Sequence, residues 1–102
     1  MEQNIWIGLV KVFPYENCER IAQDEGAYTN VLTIANSSKE FRSKITQILK
    51  KHKLQVVEVE EEEPLSKRLM EFEVDKEILE LSEEEFTDDT VKCSHFCIYK
   101  KE

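Results

Sequence analysis

The stretch NIWIGLVKVF, residues 4–13, is apolar at both its odd and its even positions. A strand of that kind cannot lie against water on either side, so it belongs near the centre of a sheet. Pro14 ends it. The chain has 102 residues, which is one domain. Folding at that length buries roughly 65% of the surface the unfolded chain exposes, enough for one modest core and a shallow groove.

Other segments are read by their periodicity. ENCERIAQDEG (16–26) fits a short helix with Cys18, Ile21 and Ala22 inward and Gly26 as its stop. AYTNVLTIAN (27–36) is rich in β-branched residues and reads as a strand. SSKEFRSKITQILKKHK (37–53) is the clearest helix. Ser37 and Glu40 have the spacing of a capping box, Phe41, Ile45, Ile48, Leu49 and His52 form one stripe, and Glu40 and Lys44 are spaced as an i,i+4 pair. LQVVEVE (54–60) reads as a strand stopped by Pro64.

Residues 64–74 are ambiguous. PLSKRLMEF suits a helix opened by Pro64, whereas LMEFEV (69–74) alternates as a half-buried strand does. Asp75 is placed to cap a helix over KEILELSEEEF, with Ile78, Leu79, Ser82 and Phe86 inward. VKCSHFCIYK (91–100) alternates as a last strand. The expectation is a single α+β domain over residues 1–102: a two-layer sandwich in which helices pack on one face of a mixed sheet of four to five strands. If 69–74 is a strand, residues 27–100 run βαββαβ, a ferredoxin-like order with an extra N-terminal strand.

Charge is the most unusual property. The chain carries 22 acids and 14 bases, net −8, and the excess is segregated. Residues 37–57 hold six bases and one acid, while residues 58–90 hold three bases and fifteen acids. Such a balance disfavours nucleic acid and anionic membrane as partners and favours a basic protein. A glutamate run does not require a partner, because two like charges ~7 Å apart in water repel by only about 0.6 kcal/mol. A solvated acidic surface therefore stands beside the docking-face reading. The docking reading expects the carboxylates of Glu60, Glu61, Glu62, Glu63, Glu83, Glu84, Glu85, Asp88 and Asp89 to share one outward patch.

No catalytic or cofactor motif emerges. Cys93, His95 and Cys97 would share one face of a continuous strand, but residues four apart on a strand are about 13 Å apart, too far for both thiolates to hold one zinc ion. Packing is the expected role of Cys18. The chain has neither the glycine pattern of a phosphate-binding loop nor the turn glycine of a calcium loop. The aromatics Trp6, Phe13, Tyr15 and Tyr28 near a basic helix raise the possibility of RNA stacking, yet nothing matches the RNP1 pattern of that module. No cofactor, metal or enzymatic activity is expected.

IWIGLV is too short for the core of a secretory signal, and three cysteines are an odd number, so free thiols in a reducing cytoplasm are expected. In its size, acidity and lack of motifs the chain resembles bacterial immunity proteins. That resemblance implies a non-catalytic intracellular inhibitor whose acidic surface occludes the basic cleft of a toxin, a nuclease above all. The rival readings are a nucleic-acid mimic that blocks a DNA-binding enzyme, and a small-ligand-binding regulatory domain with an apolar pocket.

Overall fold

In the computed structural model, which describes residues 4–16, 18–19, 21–71, 73–87 and 90–100, the apolar strand occupies the interior of the sheet. Ile5–Pro14 forms β1, paired along one edge with β2 (Glu25–Ile34) and along the other with β3 (Leu54–Pro64). Two short strands, β4 (Val91–Cys93) and β5 (Cys97–Lys100), share the far edge of β2. The helices are α1 (Ser38–Lys51), α2 (Leu65–Glu71) and α3 (Lys76–Glu83). The α+β class expected from the sequence is what the structure shows. Among the described residues no helix is long and apolar enough to cross a membrane.

The sheet is antiparallel at every pairing, not mixed. The mixed expectation followed from strand–helix–strand crossovers, which would set parallel strands side by side. The described residues between Pro14 and Glu25 form turns instead, so β1 and β2 pair directly as antiparallel neighbours. The crossover through α1 does exist. It carries the chain from β2 to β3, which run parallel to each other with β1 between them. The ferredoxin-like order is also corrected. Leu65–Glu71 is helical and residues 73–74 belong to no strand, so the elements run ββαβααββ. Phe72 lies outside the described residues.

The core follows from strand alternation. Val10 and Val12 on β1, with Ala27 and Val31 on β2, point to the face covered by Phe41, Ile45 and Leu49 of α1. Gly8 lies on that face too. A Cβ there would stand 2.8 Å from Phe41 Cε1, so only glycine admits the helix this closely. Ile7 and Leu32 alternate to the opposite face and form a smaller cluster with Leu65, Ile78 and Phe86. The Ser37 hydroxyl caps α1 by accepting from the Glu40 N–H at 3.1 Å. Lys44 donates to the Ile34 carbonyl at 2.7 Å, so α1 is tied to the end of β2. His52 is the exposed C-cap of α1 rather than part of its inner stripe. Lys53 turns the chain into β3 with a φ of 64°.

Two further expectations shift. Gly26 does not stop a helix but lies within β2, opposite Tyr99. The last strand is broken at residues 94–96. Cys93 pairs with Val31 and Cys97 with Tyr28, so four residues on this side span three on β2. One extra residue reverses the alternation. Cys93 therefore packs on the α1 face, and Cys97 stands on the other. Ser94 fills the break: its N–H donates to the Asn30 carbonyl at 2.9 Å and its hydroxyl accepts from the Asn30 N–H at 3.0 Å.

Candidate functional site: an acidic groove beside the edge strand

β3 does not stop at residue 60. It continues through the glutamates to Pro64, which stands opposite Trp6. The glutamate run is thus an edge strand, and its side chains go where the pleat sends them. Two register shifts decide this. Between Lys11 and Val12, β1 advances one residue while β3 passes from Glu58 to Val56. Between Ile7 and Leu9, β1 advances two while β3 passes from Glu63 to Glu60. Glu61 sits in that second bulge with a φ of 56°.

Cross-strand partners share a face, so Glu58, Glu60 and Glu63 point with Lys11, Leu9 and Ile7, away from α1. Glu62 goes the other way. It accepts hydrogen bonds from the Ser38 hydroxyl at 2.7 Å and from Arg42 Nε and Nη2 at 2.9 and 2.7 Å. Partial burial raises the Glu62 carboxyl, but the bonds from Ser38 and Arg42 outweigh it and leave the group below its ordinary range. Glu60 is displaced upward, chiefly by the charge of Glu58 beside it.

On the face away from α1, a groove of about 470 Å³ opens between β3, α2 and α3. Ile7, Val74 and Ile78 supply apolar wall, and among the described residues Glu61, Glu63, Glu71, Glu73 and Asp75 bring five carboxylates against the guanidinium of Arg68. Arg68 is committed. Its Nε donates to Glu63, and its Nη2 donates to the Glu61 carbonyl at 2.6 Å, clamping α2 to the bulge. Asp75 occupies the N-cap position of α3, as its sequence context suggests, but its side chain makes no capping hydrogen bond. It lines the groove instead.

The expected single patch is therefore divided. Glu61 and Glu63 line the groove. Glu62 is consumed by Ser38 and Arg42, and Glu60 stands exposed beside Glu58. Glu83, Glu84 and Glu85 lie beyond the groove, with Glu84 Oε2 3.4 Å from the Lys92 ammonium. Asp88 and Asp89 lie outside the described residues. Sequence reasoning missed Glu71, Glu73, Asp75 and Arg68 as groove residues. Glu71 and Glu73 alternate with Met70 and Phe72, a pattern that was legible, but only tertiary contact brings them against β3.

Further along the same face, Phe13 and Tyr28, two of the four aromatics named in the sequence, gather with Tyr99 around one cation, while Trp6 packs against Phe41 on the α1 face. The Lys11 ammonium lies 5.6, 5.8 and 5.6 Å from the ring centroids of Phe13, Tyr28 and Tyr99. The ring faces are electronegative and attract the ammonium. The rings thereby already hold a cation of this chain. Comparison with protein-family models, with curated proteins and with solved structures yields no match.

Proposed function

We propose that the chain is a non-catalytic protein-binding domain that receives a basic segment of its partner in the acidic groove. The finer reading is an immunity-type inhibitor that neutralises a basic toxin, a nuclease in particular, in the cytoplasm. The observation that carries this reading is the composition of the groove. Glu61, Glu71, Glu73 and Asp75 converge above Ile7, Val74 and Ile78, and the nearby Arg68 already holds Glu63. A lysine or arginine suits that chemistry, since its charged head meets carboxylates while its aliphatic stem covers apolar wall. Convergent negative charge would also speed encounter with a basic surface and make it sensitive to salt.

The test is co-expression with proteins encoded beside the gene. A neighbour that is toxic alone and harmless together with this chain supports inhibition, and rescue should fail for a triple variant carrying E71Q, E73Q and D75N. Capture of no basic protein at low ionic strength would end the reading. A thermal melt of the variant no lower than the parent's separates lost rescue from lost folding.

A further inference from the structure

We propose that Cys97, His95 and Glu77 form an activated-thiol site, at which a low-molecular-weight disulfide exchanges onto Cys97. The three side chains are linked in series. Glu77 Oε1 lies 3.0 Å from His95 Nδ1, and His95 Nε2 lies 3.8 Å from Cys97 Sγ. The same carboxylate oxygen also accepts the His95 backbone N–H at 3.1 Å. Hydrogen bonds from the His95 ring and backbone hold the Glu77 carboxyl below its ordinary range, and a carboxylate oxygen facing Nδ1 favours the tautomer with the proton there. That tautomer leaves Nε2 as the acceptor, aimed at the thiol. The order of base, orienting carboxylate and nucleophile is that of activated nucleophiles generally.

The geometry depends on the break in the last strand. Continuous pleating would put Cys97 on the same face as Cys93. The extra residue between Val91–Cys93 and Cys97–Lys100 brings Cys97 to the face on which α3 lies, and Glu77 stands in the first turn of α3. Cys97 is exposed, whereas Cys18 and Cys93 are half-buried against the main core. His95 and Glu77 retain 70% and 45% of their side-chain exposure, so a small reagent can reach the thiol. Cys93 lies across the sheet and cannot resolve a mixed disulfide formed at Cys97.

The step balances without another reactant. As His95 Nε2 takes the thiol proton, Cys97 Sγ attacks one sulfur of the disulfide. A new S–S bond forms, the old one breaks, and the other half leaves with the electron pair as a thiolate. The protonated His95 then returns the proton to that leaving group. Cys97 is oxidised to a mixed disulfide and one reagent sulfur is reduced to a thiol. Glu77 touches neither sulfur. It is a positioning residue that holds the ring in its tautomer and orientation. The inference is independent of what occupies the acidic groove.

The experiment treats the full chain with oxidised glutathione and with an aromatic nitrobenzoate disulfide, and maps adducts by mass spectrometry. Cys97 should react at least ~10-fold faster than Cys18 or Cys93, and ~10-fold faster than Cys97 in the urea-unfolded chain. H95A should lower the Cys97 rate ~10-fold, and added imidazole should restore part of it, which a packing role for His95 does not predict. E77Q should slow the reaction about 3-fold and E77D should recover it. Equal rates for Cys97 in the folded and unfolded chain, or an H95A variant as fast as the parent, would overturn the proposal. Loss of rate in H95A with no response to imidazole would also count against it.

Discussion

Arg42 holds Glu62 by a single oxygen: Nε and Nη2 both donate to Oε1, at 2.9 and 2.7 Å, from α1 across to the edge strand. The most acidic segment of the chain is thereby fastened to its most basic one. The contact also pins the glutamate run, already paired with β1, against α1. Arg42 Nη2 reaches the Val59 carbonyl at 3.2 Å as well, so one guanidinium bridges the bulge at Glu61.

Glu62→Gln should therefore cost stability although it removes a negative charge from an acidic protein. The Glu62 side chain is 12% exposed but Arg42 is 53% exposed, so solvent screening keeps the loss to about 1 kcal/mol. The carboxyl is depressed in the folded state, so its contribution is present above the unfolded carboxylate range and is lost as pH falls through the folded value. Urea melts at neutral and at acid pH should show the variant weaker at neutral pH, with the gap closing in acid. A gap that widened in acid would contradict the assignment.

Gly8→Ala should destabilise by ~1–3 kcal/mol, because the new methyl meets the Phe41 ring and presses α1 off the sheet. Thermal melts of G8A, F41L and the double variant check it. The double variant should lose less than the sum of the two singles, since a smaller side chain at residue 41 makes room for the methyl.

Lys53→Gly should stabilise. A lysine at φ 64° occupies the left-handed region immediately after α1, where glycine carries no Cβ penalty. The net gain is about 0.5–1 kcal/mol after the entropy of the freer unfolded chain is subtracted. An unchanged or lower Tm would mean that other Lys53 contacts outweigh the backbone strain.

The carboxylates that line the groove should repel one another. Replacing Glu71, Glu73 and Asp75 by their amides should raise stability at low ionic strength by roughly 0.3–0.6 kcal/mol per repulsive pair removed, and the benefit should fade in salt. Melting the parent and the variant across a salt series measures it. Identical salt dependence would mean that these carboxylates do not sense one another.

Legibility differed by element, for physical reasons. The helix over 38–51 could be read because its cap and its inner stripe are local patterns. Residues 64–74 could not, since a short segment that alternates and also suits a helix is decided by what it packs on. Leu65 finds Ile7 and Leu32 there. The stretch 16–26 failed for a similar reason: Ile21 is buried in the main cluster from a turn, so helix-like spacing was satisfied without a helix.

Composition and periodicity alone determined that β1 is interior, that α1 exists and where it starts, and that the negative charge is concentrated in residues 58–90. These depend on near neighbours along the chain. Tertiary structure alone decided where each carboxylate points and which cation it meets. Each bulge adds one residue and turns every later side chain to the other face, and such a register is set by the partner strand. That is why Glu62 meets Arg42 while Glu61 and Glu63 line the groove, and why Cys97 meets His95 on the face opposite Cys93.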